Sequence, residues 1–148
     1  MEPDHLYMTP PSLRLSKTKQ IDDSSTITVW DLRISQPNVS HISSGALHSM
    51  EHFLGVYLSE ESSDIVNVAP LGCQTGFYIV AANLTDSHKL AQALESTLAR
   101  ILSAADVPLA NEHQCGWAEN HSLRGAQNLA RWLLSRREEW DEAVREVS

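Results

Sequence analysis

Positive charge is scarce in this chain: 11 Lys and Arg stand against 19 Asp and Glu, giving a net charge of −8 and an isoelectric point near 5.2. A nucleic-acid-binding surface needs a basic patch to displace counterions from phosphate, so none is expected. Attraction to an anionic membrane surface is disfavoured for the same reason. Long hydrophobic runs are also missing, and none approaches the ~18–20 residues of a membrane-spanning helix. The acidic start, Met1-Glu2-Pro3-Asp4-His5, has no apolar stretch after it and so lacks a signal-peptide pattern, which leads to the expectation of a cytoplasmic protein. In that setting the sequons at Asn38, Asn83 and Asn120 carry no meaning, and the two cysteines, Cys73 and Cys115, are expected as reduced thiols. Only 6 Gly and 6 Pro are present, without repeats or low-complexity tracts, which excludes collagen-like and linker-rich chains. What remains is 148 residues, 42 % hydrophobic, enough to build one domain over 1–148 around a real core.

The patterning predicts an α+β fold, an antiparallel sheet with helices packed on one face. Residues 1–11, punctuated by Pro3, Pro10 and Pro11, read as extended or irregular. Leu13–Ser16 alternate, and Ser25–Ile34 are rich in β-branched residues. Both read as strands, joined through a polar turn at Asp22-Asp23-Ser24-Ser25. Ser43–Glu60 reads as a helix with Leu47, Met50, Leu54, Tyr57 and Leu58 on its apolar face. Short strands follow at Ile65–Val68 and Gly76–Ala82, around a bend at Pro70-Leu71-Gly72-Cys73. Thr85 or Asp86 can cap a helix to about Ala105, and a last helical region is expected from Ser122 to about Val147, with Leu123, Ala126, Ala130, Leu133, Leu134, Trp140 and Val144 inward.

The strongest chemical signal is His48-Ser49-Met50-Glu51-His52. Histidines at i and i+4 on a helix project to the same side and can grip one metal ion, with Glu51 sharing that side. Gly55 leaves the same face clear of a side chain. Such pairs also occur as ordinary surface histidines, and the H-x-x-E-H order matches an inverted zinc-peptidase motif as well, although this chain is short for a protein-substrate cleft. Catalysis at a metal needs a third protein ligand and an open position. Cys115, followed by Gly116, is the candidate and His113 a rival; a lone cysteine is otherwise most often a small buried hydrophobe. Two histidines and a cysteine suit Fe²⁺ and Zn²⁺ alike, and Co²⁺ as well. Cys73 stands between Gly72 and Gly76 at a strand bend, where a thiol is reachable and a nearby cation would make it a usable base or nucleophile. Trp117, Trp132 and Trp140 read as packing residues, Arg136-Arg137-Glu138-Glu139 as a solvated helix face. His41, His88, His113 and His121 are left without a role.

Four blocks together resemble the S-ribosylhomocysteine lyase (LuxS) family in order and spacing, over essentially the whole chain: Val29-Trp30-Asp31-Leu32-Arg33 with Gln36-Pro37-Asn38; His48 to His52; Pro70-Leu71-Gly72-Cys73-Gln74-Thr75-Gly76-Phe77-Tyr78; and Asn111 to Gly116 ahead of His121-Ser122-Leu123. Asp4-His5 and Lys17-Thr18 also fall where that family has them. The resemblance implies a small α+β homodimer with two active sites shared between subunits. It implies a metal, usually Fe²⁺, on His48, His52 and Cys115, with Cys73 and Glu51 as the acid/base pair and His5 and Arg33 in substrate binding. The implied substrate is a sugar thioether, S-ribosyl-L-homocysteine, and the products are L-homocysteine and 4,5-dihydroxy-2,3-pentanedione, the autoinducer-2 precursor.

Two positions depart from that pattern. Ser59 stands where the family usually has an arginine, and Asn67 where it has an aspartate. Those two groups help to hold the amino-acid end of the substrate. Losing one charge of each sign removes a matched clamp for a zwitterion, and Arg-to-Ser is not conservative. Three readings follow: the same lyase with a rewired pocket, a related lyase or isomerase for another ribosyl or ketose thioether or sugar, and a metal-binding homologue without turnover.

Overall fold

The computed structural model describes residues 4–141. In order they form a 3₁₀ turn (His5–Tyr7), strands β1 (Ser12–Asp22) and β2 (Ser25–Arg33), helix α1 (Ser44–Phe53), a π turn (Leu54–Leu58), α2 (Ser59–Glu61), β3 (Ile65–Pro70), β4 (Gly76–Ala82), α3 (Ser87–Leu102), α4 (Leu123–Ser135) and a 3₁₀ turn (Arg137–Glu139). No helix among the described residues is long and apolar enough to cross a membrane.

The four strands form one antiparallel sheet in the order β1-β2-β4-β3. β1 is longer than its apolar alternation indicates, because Asp22 closes the hairpin with an Asx turn, its Oδ1 accepting the Ser24 N–H at 2.9 Å. Thr28, Trp30 and Leu32 of β2 and Phe77, Ile79 and Ala81 of β4 are buried on one face, and Met50, Phe53 and Leu54 of the first helical segment join them in the core. Helices therefore pack on that face, the α+β arrangement that the patterning predicts. The other face carries Asp31 and Arg33, which alternate with Trp30 and Leu32 and yet are also buried. They are covered because Arg33 pairs bidentately with Asp31, at 2.7 and 3.2 Å, and Arg14 approaches Asp31 at 3.5 Å.

The first helix spans the expected stretch but changes register at the π turn, just after His52. A π turn inserts one residue into the helical ladder and is found mostly at functional sites, a feature without a hydrophobic signature. Asp86 caps α3 by accepting the His88 N–H at 2.9 Å. Leu90, Leu94, Leu98 and Ile101, at helical spacing, face inward, with Leu102 half-buried. Helix α4 ends at Ser135 rather than near Val147, since Arg136 leaves helical geometry and Trp140 folds back. The Trp140 indole donates to the Leu133 carbonyl at 3.1 Å, and its own carbonyl accepts the Leu13 N–H at 2.8 Å, so the ring is fully buried. Val144 and Val147 lie outside the described residues. Of the three tryptophans read as packing, Trp140 packs and Trp132 is half-buried, but Trp117 is 61 % exposed.

Two glycines fix close approaches. A Cβ on Gly76 would sit 2.1 Å from the Leu32 carbonyl oxygen, so only glycine lets β4 meet β2 beside the Cys73 bend. A Cβ on Gly125 would lie 2.8 Å from the Ala46 Cβ, which brings α4 tightly onto α1.

Candidate metal centre and thiol site

Helix α1 buries Met50 and Phe53 and turns His48 and His52 toward the segment 108–121, as their spacing requires. Each ring is held by a backbone carbonyl. His48 Nδ1 lies 2.8 Å from the Asn120 oxygen, with the Asn120 amide nitrogen more distant at 3.3 Å, and His52 Nδ1 lies 2.7 Å from the Pro108 oxygen. A carbonyl only accepts, so both Nδ1 atoms carry the proton and both Nε2 atoms present lone pairs. Leu109 adopts the left-handed region (φ 59°), a conformation costing on the order of 1 kcal/mol for such a residue, and so turns the chain where the Pro108 carbonyl meets His52.

The two Nε2 atoms stand 3.2 Å apart, and Cys115 Sγ is 3.4 Å from His48 Nε2. Two lone pairs facing each other at that distance repel unless a cation lies between them. Tetrahedral bonds of ~2.0 Å to nitrogen and ~2.3 Å to sulfur put ligand atoms about 3.3 Å (N to N) and about 3.5 Å (N to S) apart, so the donor set fits a metal ion. His121 completes the group: the ligand atoms of His48, His52, Cys115 and His121 all lie within 4.8 Å of one another. Its ring stacks on His48 at 4.0 Å, its Nε2 is 3.5 Å from Cys115 Sγ, and its Nδ1 is 2.9 Å from Ser49 Oγ. Burial, and then the neighbouring imidazoles of His48 and His52, push His121 down to about 4, so it is neutral at pH 7. His113, the rival to Cys115, is exposed and outside the group. Gly116 does not adopt a positive φ, so Cys115 is presented without the tight turn that a following glycine allows.

Cys73 lies elsewhere. It is exposed at the tip of the β3–β4 bend, where Gln74 takes the left-handed region (φ 63°) and Leu71 N–H bonds the Gly76 carbonyl at 2.9 Å. Its Sγ is 3.0 Å from Thr75 Oγ1 and 3.8 Å from Arg33 Nη1. Partial burial would raise the thiol, but hydrogen bonds from Thr75 and the charge of Arg33 outweigh it and hold Cys73 below the ordinary thiol value. Arg33 is itself 2 % exposed, with its fork on Asp31 and Nη1 on Thr75 at 2.8 Å. The adjoining cavity, about 440 Å³, is lined by Cys73, Thr75, Gln74, His5, Asn38 and His41 among others, and by none of the four clustered residues.

The remaining expected site residues divide between these places. His5 is exposed and faces the Cys73 cavity. Glu51, half-buried, leaves α1 beside the two histidines but is not in their cluster. Ser59 is exposed, its Oγ donating to the Gly55 carbonyl at 2.7 Å, and Asn67 is exposed on β3. His121 and Ser49 are the residues that sequence reasoning passed over. The one available signal was the position of His121-Ser122 immediately before an amphipathic helix, where Ser122 caps α4 by accepting the Gly125 N–H at 2.9 Å.

Comparison with known proteins gives the family of the chain. The family model described as S-ribosylhomocysteinase (LuxS) matches residues 1–144. The chain is 41 % identical to an S-ribosylhomocysteine lyase of Helicobacter pylori (strain HPAG1), over 94 % of this chain and 90 % of that protein. It is 42 % identical to proteins of the same name from Chromohalobacter salexigens and Halobacillus halophilus, over 94 % of this chain and 90 % and 91 % of theirs. On these matches, over nearly its whole length, the chain belongs to the S-ribosylhomocysteinase (LuxS) family.

Proposed function

We propose that this protein is a carbon–sulfur lyase that converts S-ribosyl-L-homocysteine to L-homocysteine and 4,5-dihydroxy-2,3-pentanedione, the autoinducer-2 precursor. The observation that carries the reading is the pairing, in a member of this family, of a converging two-histidine, one-cysteine donor set with a thiol held below its ordinary value.

A thiol leaves a sugar chain as an anion only when a carbonyl stands two carbons away, so the aldose carbonyl must first migrate along the chain. Each migration removes a proton from the carbon beside a carbonyl and returns one to its neighbour, without net oxidation. In the last step a proton leaves the carbon next to the ketone, the C–S bond breaks, and sulfur takes the electron pair and then a proton. His48, His52 and Cys115 would hold the metal, proposed as Fe²⁺ with Zn²⁺ and Co²⁺ as chemically acceptable substitutes. When bound, the metal supplies Lewis-acid polarisation of the sugar oxygen. Cys73, whose thiolate form Thr75 and Arg33 favour, is the proposed base, and Glu51 the group that trades protons with it at successive carbons. His5 lies where it can orient a ligand in the Cys73 cavity.

Those roles require the thiol and the metal to meet on one substrate, and the Cys73 cavity of one chain contains none of the metal-site residues. We therefore read the working unit as a homodimer with shared sites. The face of the sheet away from the helices supports this, since Ile27, Val29, Tyr78 and Val80 lie together there and are only half-buried. A cytoplasmic setting, where ferrous iron and free thiols persist, is part of the same reading. A second reading keeps the chemistry and changes the substrate to a thioether sugar without the zwitterion. It is favoured by Ser59, whose hydroxyl is already bound to Gly55.

The test is anaerobic Fe²⁺ loading followed by a free-thiol assay with S-ribosylhomocysteine, with Cys73→Ala as the blank. Thiol release by the wild type alone supports the first reading. No release from a folded, metal-loaded dimer overturns it and directs the search to thioether sugars lacking the amino-acid group.

A further inference from the structure

The His121 imidazole lies at the metal centre as a fourth nitrogen, and its hydrogen bonds decide whether it binds metal. Ser49 is completely buried on α1. Its Oγ accepts the Ser122 N–H at 2.8 Å, which occupies one lone pair and leaves the hydroxyl proton to be placed. Among the described residues, the remaining polar neighbour of that oxygen is His121 Nδ1, at 2.9 Å. A buried O–H without an acceptor costs about 1–3 kcal/mol, so the hydroxyl donates to Nδ1. An imidazole that accepts at Nδ1 carries its proton on Nε2, and that nitrogen then has no lone pair to give a metal. His48 and His52 are held the opposite way, by carbonyls that force the proton onto Nδ1.

Ring geometry argues independently for the same division. His48 and His52 meet edge to face at 80°, which lets two in-plane lone pairs converge on one point. His121 instead stacks on His48 with ring centroids 4.0 Å apart and planes inclined at 27°. Rings stacked so hold their in-plane lone pairs side by side, so His121 is poorly placed to share an ion with His48, although it meets His52 edge to face at 74°. The Nε2 of His121 points at sulfur instead, 3.5 Å from Cys115 Sγ, which also accepts the Trp117 backbone N–H at 3.4 Å.

We propose that His121 is a positioning residue, not a fourth ligand: locked by buried Ser49 as the Nε2–H tautomer, it donates to the Cys115 thiolate and leaves the fourth position of the metal open. The inference deepens the metal-dependent reading above and rests on it, although the Ser49–His121 lock does not itself need the ion. Neutralising part of the sulfur's charge makes Cys115 a weaker donor and the metal a stronger Lewis acid.

Long-range ¹⁵N–¹H correlation spectra of the histidine side chains test this, recorded on ¹⁵N-labelled protein without metal and with one equivalent of Zn²⁺ and assigned with His121→Gln. The expected result is a protonated Nε2 on His121 in both states, with protonated Nδ1 on His48 and His52. A protonated Nδ1 on His121 with a metal-shifted Nε2 overturns the proposal. Protein that takes up no Zn²⁺ would refute the metal-dependent function, while the metal-free spectrum still decides the tautomer. With Co²⁺, His121→Leu is expected to move the thiolate-to-metal charge-transfer band to lower energy while keeping the d–d bands of the wild type. His121→Gln, which keeps an N–H donor, is expected to restore the band toward the wild-type position. Loss of a ligand in both variants, with d–d bands and affinity changed as in His52→Ala, would show that His121 binds the metal and overturn the inference.

Discussion

His48 and His52 face each other through unprotonated nitrogens 3.2 Å apart, because the carbonyls of Asn120 and Pro108 hold the protons on the far side of each ring. A cation bound between them would take both nitrogens as donors. Metal is expected to stabilise the fold by mass action, about 2.7 kcal/mol at a free concentration of 100 Kd. For a chain of this size that is a rise in Tm of roughly 5–10 °C. Calorimetry with and without chelator measures it, and His52→Ala should remove the difference. An unchanged Tm on saturating metal would show that the donor set does not close on an ion.

Cys73 and Thr75 provide a pH prediction. The Thr75 hydroxyl and the Arg33 charge favour the thiolate, so Cys73 deprotonates below the ordinary thiol value of 9.0. Between the lowered value and 9.0, wild-type Cys73 is a thiolate while an unassisted thiol is still protonated. The rate of iodoacetamide alkylation, measured against pH in a Cys115→Ser background, should have its midpoint below 9.0. Thr75→Val keeps the side-chain volume and removes the hydroxyl, so the midpoint should rise. Arg33 is the poorer choice for this test, since its removal leaves Asp31 buried with only Arg14 at 3.5 Å. A profile that does not move in Thr75→Val would place the activation elsewhere.

The sheet and the histidine pair were legible because both rest on short-range periodicity. Two-residue alternation separates Thr28, Trp30 and Leu32, which the fold buries, from Asp31 and Arg33 on the opposite side of β2, and four-residue spacing puts His48 and His52 on one side of α1. What was not legible depends on contacts between distant segments. Ser49 carries no signal of its own within the pentad, and its contacts form only when His121 and Ser122, more than seventy residues away, come against it. The burial of Asp31 and Arg33 was hidden likewise, because an alternating strand gives no sign that its second face is closed by an ion pair. The end of α4 depends on Trp140 reaching back to Leu13, and no local signal at Ser135 announces it.

The two glycines that flank Cys73 should respond in opposite ways. A Cβ at Gly72 meets nothing within 4 Å, so Gly72→Ala is expected to be tolerated within ~0.5 kcal/mol. A Cβ at Gly76 would lie 2.1 Å from a backbone oxygen of β2 that cannot swing aside. Gly76→Ala should cost at least the ~1–3 kcal/mol typical of overpacking and disturb the bend that presents the thiol. Urea midpoints of the two variants measure the difference, and equal midpoints would contradict the close β2–β4 approach.

Thr97 offers a gain rather than a loss. It is fully buried in α3, and its hydroxyl has no hydrogen-bond partner. Valine has nearly the same shape and lacks the polar atom, so Thr97→Val removes a desolvated hydroxyl while keeping the packing around Leu94, Leu98 and Ile101. The expected effect is a stabilisation of about 1 kcal/mol, with the urea m-value unchanged. Since α3 supplies none of the four clustered side chains, metal affinity should be unaffected. A destabilised Thr97→Val would mean that the hydroxyl has a partner after all, and the backbone carbonyl one turn earlier in α3 would be the first place to look.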